Sequence, residues 1–402
     1  MQAIRAASAF DGVRFVEDGV TVLVDGDRIA GVEGPHHEPP VGSEVASYDG
    51  TLLPGLIDTH VHLVGDATMG GLESAPDLDD DALDAVIDEM LLRQARHGVT
   101  TVRDLGDVRY RTLAARDLRR PGRPRLQCAG PPLTVPDGHC HFLGGAVLGV
   151  EAVVAAVQDR AERGADVVKV MASGGMLTPD SDIMGVQFSP EELAAAVRAS
   201  HDTGLPVVAH AHSLAGVQHA LDAGVDGIEH FTCLTDAGMT ASDALLRQVA
   251  DAGVVVCPTA GTDVTRLPPF DTLPPRLRDL IDALGMREDG SPHGRVELLR
   301  RAREHGVAVV NGTDAGVTPS KDHGNAWLAA LQLTDSGYSL AEALATATSY
   351  AARVLGLESE TGRLAPGLAA DLLVTDSDLR FDPDALARPA AVWVRGEQAP
   401  LG

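Results

Sequence analysis

The ten residues PGLIDTHVHL, at positions 54–63, decide the fold of this chain. They form an apolar run that ends in His60 and His62, with one residue between the two histidines. Because successive side chains of a β-strand point to opposite faces, both imidazoles are predicted to lie on the same side of the strand. A lone histidine in a strand is more often a core residue than a ligand, but this paired spacing favours a functional pair.

Further strand-like runs follow, and helical segments lie between them. The runs are GVTTVRDLG, RLQCAG, ADVVKVMASGG, LPVVAHAHS, VDGIEHFTC, GVVVCPTAG and GVAVVNGTDAG. Segments such as SPEELAAAVRASHDTG begin at a Ser or Asp cap and end at glycine, which is typical of α-helices. This alternation predicts an α/β fold with parallel strands, and eight strands in roughly 300 residues predict a (β/α)8 TIM barrel. A doubly wound sheet is the alternative, although no G-x-G-x-x-G turn follows the first strand.

Both ends of the chain contain short β-like runs. VTVLVDGDRIAGV, near the start, includes an Asp-Gly hairpin signal, and AAVWVRGE lies near the end. We therefore expect residues 1–53 and 358–402 to form together a small β-sandwich domain. The barrel is expected to occupy residues 54–357.

The composition excludes several classes of function. The 402 residues include 32 Lys and Arg against 58 Asp and Glu, so the formal net charge is −26. Such a surface repels phosphate backbones and anionic lipids, so we expect a small-molecule substrate and neither a nucleic acid nor a membrane as partner. No apolar run of about 18 residues and no signal peptide are found, which favours a cytoplasmic protein. The four cysteines are too few and too scattered for a disulfide framework, and a homo-oligomer is compatible with the sequence but not indicated by it.

Polar side chains occur at the ends of several predicted strands, where a barrel has its active site. They are Lys169, His210, His230 and Asp314. Lys169 lies within the apolar run VVKVM, and because both faces of a barrel strand are covered, its ammonium group needs a partner. The histidines of helical segments, His97, His201, His219 and His305, are interpreted as solvated surface residues.

Five motifs resemble those of the amidohydrolase superfamily. They are PGLIDTHVHL (54–63), VVKVMASGG (167–175), PVVAHAHS (206–213), GIEHF (227–231) and NGTDAG (311–316), in the order of that family. GRLAPGLAADLLV (362–374) is similar to the segment by which the family's chains return to the small β domain. The resemblance therefore covers essentially the whole chain.

This resemblance implies a site for two divalent metal ions, usually Zn²⁺. His60, His62 and Asp314 would hold one ion and His210 and His230 the other. Lys169, carboxylated by CO2 to a carbamate, would bridge the two ions, and a buried lysine suits this because its depressed pKa leaves a neutral amine. A hydroxide that bridges the ions would attack the scissile carbonyl, with Asp314 as general base and then as general acid.

Within the superfamily, the chain resembles most the prolidase-like metallo-dipeptidases of the Xaa-Pro and Xaa-Arg type. ASGG (172–175), QFS (187–189) and HAH (210–212) carry this likeness, together with His323-Gly324-Asn325. Cleavage of an amide bond in a dipeptide or an N-acyl amino acid is therefore the expected reaction. A lactonase, esterase or phosphotriesterase on the same site is the alternative, and a non-catalytic scaffold is a third reading.

Residues outside the ligand set receive separate predictions. His139 and His323 are predicted to contact the substrate, and His212 is predicted to support the ligands rather than to bind metal. His139-Cys140-His141 as a separate metal site is disfavoured, because ligands of structural zinc sites are usually spaced two to four residues apart. Arg103 and Asp104 are expected to form an internal ion pair or to brace a loop.

Overall fold

The computed structural model describes residues 1–16, 18–176, 178, 181–267, 269–272, 278–279, 281–282 and 293–401. The strands are β1 (Gln2–Phe10), β2 (Phe15–Val16), β3 (Val20–Asp25), β4 (Arg28–Glu33), β5 (Glu44–Pro54), β6 (Leu56–Val61), β7 (Val99–Asp104), β8 (Arg125–Cys128), β9 (Val168–Met171), β10 (Val207–Ser213), β11 (Gly227–Thr235), β12 (Gly238–Met239), β13 (Val255–Cys257), β14 (Leu372–Thr375), β15 (Pro389–Val394) and β16 (Glu397–Gln398). The α-helices are α1 (Gly71–Ser74), α2 (Asp80–Arg96), α3 (Arg111–Leu118), α4 (Val150–Glu162), α5 (Pro190–Asp202), α6 (Leu214–Ala223), α7 (Asp243–Asp251), α8 (His293–Glu304), α9 (Ala326–Thr334), α10 (Leu340–Thr346) and α11 (Ser349–Val354). The chain is thus a mixed α/β protein, as its sequence predicts.

The parallel strands of the central part form two open sheets. One sheet has the order β6-β7-β8, and the other runs from β9 through β10 and β11 to β13, with the antiparallel β12 also paired to β11. Seven of the predicted runs thus contain strands, in the predicted order along the chain. Isolated parallel bridges connect the sheets to further segments, at Leu133 with Val170, Val256 with Val309, and Val61 with Ala315.

The last predicted run, GVAVVNGTDAG, is not a strand in the structure but makes only isolated bridges, at Val309 and Ala315. Between these bridges, Asp314 has a φ of 62°, a left-handed conformation that strands do not adopt. Gly312 is also packed so closely that an added Cβ would lie 2.5 Å from Sγ of Cys257. The close packing of Gly312 against Cys257 and the left-handed backbone at Asp314 therefore keep this segment from forming a regular strand.

Both ends of the chain combine into a single sheet of eight strands with the order β16-β15-β14-β5-β1-β3-β4, and β2 pairs with β1. Strands from both ends of the chain thus belong to one continuous sheet, and the small β-sandwich domain stays a prediction. The physical reason for the continuous sheet is the length of β5, whose eleven residues pair along most of their length with β1. The last three, Leu52 to Pro54, pair with β14, which joins the two halves.

Helix α5 illustrates how local sequence signals position a functional loop. Ser189 caps the helix by accepting from the amide of Glu192, and the Glu192 carboxylate accepts from the amide of Ser189 in return. Pro190 follows at the first helical position, where its missing N–H has no cost. Gln187, two residues before this cap, accepts a hydrogen bond from the amide of His139 at 3.0 Å.

Among the described residues, no helix is both long enough and apolar enough to cross a bilayer.

We expect the replacement of Leu373 by alanine to lower the free energy of unfolding by about 2–5 kcal/mol, the usual cost of a large buried cavity. Leu373 is fully buried in β14 and lies against Gly98, just before β7, so it joins the terminal sheet to the parallel strands. Urea denaturation measures the change. Val41→Ala, at a fully exposed valine, is the control and should change stability by less than about 0.5 kcal/mol. Equal stabilities of the two variants would contradict this role of Leu373.

Candidate metal centre

Three of the predicted ligands form a compact group where β6 meets the segment that follows Val309. Oδ1 of Asp314 lies 3.3 Å from Nε2 of His60 and 3.3 Å from Nε2 of His62. Both histidines are buried, whereas the Asp314 side chain is 18% exposed. These three donor atoms are close enough to hold one metal ion.

A second group of donors lies within β10 and β11. His210, His212 and His230 present ring nitrogens that lie within 4.8 Å of one another. The ring of His230 is 5.4 Å from that of His60, so the two groups face each other. His212, predicted only as a support, is stacked on His230 at a centroid distance of 4.4 Å and belongs to this group by geometry.

Lys169 lies in β9, paired on one side with Val208 of β10. It is 1% exposed, and its Nζ has no hydrogen-bond partner within the described part of the chain. Burial lowers the pKa of this amine, although Glu229 and Asp314 act in the opposite direction. Burying an amine without a hydrogen-bond partner costs free energy, which favours the binding of a further group to Nζ of Lys169.

The ligand rings are oriented by hydrogen bonds through their other nitrogens, as is usual around metal sites. The pairs are His60 Nδ1 with Glu229 at 2.8 Å, His62 Nδ1 with the carbonyl of Gly106 at 3.0 Å, His230 Nδ1 with the Thr259 hydroxyl at 3.0 Å, and His210 Nε2 with the carbonyl of Gly174 at 3.1 Å. In each of these four rings, the other nitrogen has no orienting partner of this kind and is the atom that could bind an ion.

Glu229 belongs to the candidate centre by its contacts, but the sequence analysis did not predict it. Its carboxylate is 1% exposed and accepts hydrogen bonds from His60 and Arg103. Burial by itself raises the pKa of Glu229, but the hydrogen bond with His60 and the charges of Lys169 and Arg103 hold it at about 2, so the group is anionic. The available signal was its place directly before His230 in an apolar strand, where a carboxylate must have a partner.

Arg103 and Asp104 brace the site separately and do not pair with each other. Arg103 donates to the carbonyl of Thr59 at 2.9 Å and to Glu229 at 3.4 Å. Asp104 accepts from the amides of Leu63 and Gly106 at 2.7 and 3.1 Å, next to His62. Both predicted alternatives thus occur in part, because Arg103 forms an internal ion pair with Glu229 and Asp104 braces the backbone beside His62.

The electrostatics suit ligands for a cation. Burial lowers the pKa of His60 to about 4 and holds the pKa values of His210 and His230 well below the usual range, so these rings are neutral at pH 7. Burial alone raises the pKa of Asp314, but His60 and His62 hold it well below its usual range. His62 is the exception among these rings: burial lowers its pKa too, but the hydrogen bond and the negative charge of Asp314 outweigh this effect and raise it. Neutral imidazoles and an anionic carboxylate are the forms that bind divalent metals.

Three residues at the centre have left-handed backbone conformations that non-glycine residues rarely adopt. The φ angles are 70° at His230, 46° at Thr259 and 62° at Asp314. Such strain costs roughly 1–3 kcal/mol per residue and tends to occur at active sites. It supports a functional role for the two groups of donors.

His139 and His323 were both predicted to contact the substrate, but their surroundings differ. The ring of His139 lies 4.5 Å from that of His210, and its Nδ1 pairs with the Thr178 hydroxyl. His323 is 1% exposed, with Nε2 2.8 Å from the carbonyl of Gly65 and Nδ1 3.3 Å from Gln94. Because both nitrogens of His323 have internal partners, the structure favours a positioning role for it.

Cys140 and His141 do not form a metal site with His139 in the described structure. Sγ of Cys140 lies 3.5 Å from Nε2 of His139, but the ring of His141 turns away to the carbonyl of Gly138. The three side chains therefore do not converge on one point, because side chains of adjacent residues point in different directions.

Comparison with known proteins places these features in context. A model of the amidohydrolase family matches residues 51–399. An uncharacterised protein of Mycobacterium bovis is 30% identical over 366 residues, which cover 89% of this chain and 88% of that protein. The crystal structure of a Xaa-Pro dipeptidase with methionine bound in its active site superposes with a TM-score of 0.85 at 26% identity, over 99% of both chains. The putative prolidase from Bifidobacterium longum gives a TM-score of 0.79 at 28% identity, over 99% of this chain and 94% of that one.

Proposed function

Because this chain belongs to the amidohydrolase family, we propose that it cleaves the amide bond of a dipeptide or an N-acyl amino acid at a centre of two divalent metal ions. The family and its neighbours establish the coarser statement that it is a hydrolase acting on carbon–nitrogen bonds. The observation that carries the finer proposal is the pair of facing donor groups at the metal centre, together with the unpartnered amine of Lys169.

We also propose that the parallel strands close into one (β/α)8 barrel within residues 54–357, beside a small β domain of residues 1–53 and 358–402. Support comes from isolated parallel bridges on both sides. Leu133, which follows β8, pairs with Val170 of β9, and the segment that follows α8 pairs at Val309 with β13 and at Ala315 with β6. In such a barrel the donor groups occupy the carboxyl ends of the strands, where barrel enzymes have their active sites.

The donor set fits two divalent ions. His60, His62 and Asp314 would hold one ion, His210 and His230 the other, and Lys169 as a carbamate would lie between them. Nitrogen and oxygen donors of this kind suit zinc. When bound, the ions supply water activation at neutral pH and polarisation of the scissile carbonyl.

Asp314 is proposed as the group that moves the proton. Its depressed pKa keeps it anionic at neutral pH, and its side chain is more exposed than the histidines around it. From this position it would accept the proton of the attacking water and pass it to the nitrogen of the departing amine. His60 and His62 hold the carboxylate in place through Oδ1.

His139 is proposed to contact the substrate next to His210. Gly175 leaves room for this ring, because an added Cβ would lie 2.3 Å from Nε2 of His139. We expect Gly175→Ala to displace the ring and to lower kcat/KM by about 100-fold, the effect of misplacing an active-site group by roughly 1 Å.

The control for this variant is Gly34→Ala, because an added Cβ at Gly34 meets no atom within 4 Å. Steady-state kinetics and metal analysis of both proteins make the comparison. Unchanged kinetics in Gly175→Ala would remove His139 from the proposed substrate site.

The proposed function is tested by measuring amine release from a library of dipeptides and N-acyl amino acids, with protein prepared in zinc-supplemented medium and assayed in bicarbonate buffer. A dipeptide library is the natural first choice because one structural neighbour is a dipeptidase with an amino acid in its active site. Turnover that depends on the C-terminal residue is the expected result. If protein that carries two metal ions releases no amine from any amide, the proposal fails and lactones, esters and phosphotriesters become the substrates to examine.

A further inference from the structure

We propose that this protein has a second binding site, for a small molecule that carries two or more phosphate or carboxylate groups. The site is a cavity of about 780 Å³ enclosed by α2, α3, β8 and the last strands of the terminal sheet. This volume lies within the usual range of ligand sites, roughly 300–1,000 Å³. None of the proposed metal ligands lines the cavity, so the inference is independent of the proposed reaction.

The charge around this cavity differs from that of the whole chain. Seven arginines and six acidic residues line it, although the chain as a whole has a net charge of −26. Four of these arginines come from a single short stretch, RRPGR followed by Pro-Arg, at positions 119–125. The lining is therefore close to neutral, and it repels an anion less than the acidic surface of the rest of the chain does.

The carboxylates of the cavity do not use all the available arginine donors. Asp88 is shared by Arg120 and Arg123, at 3.0 and 2.8 Å. Glu360 is likewise shared by Arg28 at 3.2 Å and Arg125 at 3.8 Å. A guanidinium group has five N–H donors, so one carboxylate between two arginines leaves several donors for a ligand.

Two arginines are especially suited to bind an added anion. Arg119 is exposed, and its side chain makes no ion pair or hydrogen bond in the described structure. Nε of Arg125 is buried without a hydrogen-bond partner. Because an unsatisfied buried N–H is costly, an oxygen that accepts from it would be bound favourably.

The positions of the arginines indicate the chemical class of the ligand. The guanidinium fork matches the oxygen geometry of both phosphate and carboxylate. Arg119 follows α3 and Arg125 lies in β8, whereas Arg28 lies in β4 of the terminal sheet and Arg395 follows β15. Arg28 and Arg125 already share the Glu360 carboxylate, so a ligand that also engages Arg119 and Arg395 needs more than one anionic group, as in a diphosphate or a tricarboxylate.

Isothermal titration calorimetry with inorganic pyrophosphate and with citrate tests this proposal on the metal-loaded protein. We expect saturable binding of at least one of the two anions, and the preferred one distinguishes a phosphate site from a carboxylate site. Arg119→Gln should weaken that binding about tenfold, the effect of losing one charge-assisted hydrogen bond. Arg14→Gln is the matched control, since the Arg14 side chain is 83% exposed and lies outside the cavity.

Binding of these anions to the metal centre is the competing explanation, and the variants separate the two. If Arg119→Gln and the wild type bound the anion with the same affinity and heat of binding, the binding would be assigned to the metal centre and the proposal would be overturned. No binding of either anion to the wild type would overturn it as well. Protection of Arg119 from phenylglyoxal by the bound anion, mapped by peptide mass spectrometry, gives a second readout that does not depend on a variant.

Discussion

Asp314→Asn is expected to lower kcat by roughly 100- to 10,000-fold, the range attributed to a positioned general acid or base. Asparagine keeps the shape of the side chain but cannot accept the proton of water at neutral pH. It also removes the negative charge that lies 3.3 Å from Nε2 of both His60 and His62, so weaker retention of one metal ion is expected too. Steady-state kinetics at saturating substrate, with metal content measured on the same sample, separates the two effects.

The control for this variant is Asp335→Asn, at the exposed C-terminal end of α9. This change should leave both kcat and metal content as in the wild type. If Asp314→Asn kept two metal ions and full turnover, Asp314 would not be the proton-transfer group, although it could still lie in the site.

Lys169→Ala is expected to abolish measurable turnover and to lower metal affinity by more than the roughly 10- to 100-fold cost of losing an outer hydrogen-bond partner. The reason is that the proposed carbamate of Lys169 is an anion between the two donor groups. Without this anion, no negative charge between the two metal ions would offset their mutual repulsion. Metal content by atomic emission and hydrolysis of the preferred dipeptide measure the two effects.

The carbamate itself is tested by reconstitution. Wild-type protein that has been stripped of metal should regain two ions and activity faster in bicarbonate than in CO2-free buffer. In Lys169→Ala, a short carboxylate such as acetate should partly restore metal binding, because it can occupy the space of the missing side chain. Reconstitution of the wild type that is independent of bicarbonate would exclude the carbamate while leaving Lys169 in the site.

Lys321 provides a matched comparison as the second of the two lysines in the sequence. Its Nζ donates to the carbonyls of Ala260 and Thr313 at 3.0 Å, so it is satisfied by the protein. Burial lowers the pKa of Lys321 to about 7, but its amine is already hydrogen-bonded to backbone carbonyls. We therefore expect Lys321→Arg to retain the bicarbonate dependence of metal uptake.

Much of the centre could be predicted because its signals are local. Alternation along a strand places His60 and His62 on one side from two sequence positions alone. A lysine within VVKVM needs a partner wherever the strand lies, since burial of an isolated ammonium group is costly. The strand-like runs could be predicted because their hydrophobic pattern is also local. The exception is GVAVVNGTDAG, where close packing of Gly312 against Cys257 and His60 accompanies an irregular backbone.

Other features depended on contacts between distant parts of the chain and could not be predicted. Glu229 is 169 residues from His60, yet it orients that ring. His323 was expected at the substrate but pairs with Gln94, which is 229 residues away. Sequence periodicity and spacing cannot predict such a pair, because nothing in the residues next to each partner indicates the other one.

The sequence by itself determined the class of the protein and the types and order of the proposed metal donors. These follow from hydrophobic periodicity and from the cost of burying unpaired polar groups, both of which are properties of short segments. The tertiary structure decided which donors face each other, which histidine lies beside the centre, and that the terminal strands form one sheet through β5. Those outcomes depend on packing between segments far apart in the chain, whose energy exists only once the segments are brought together.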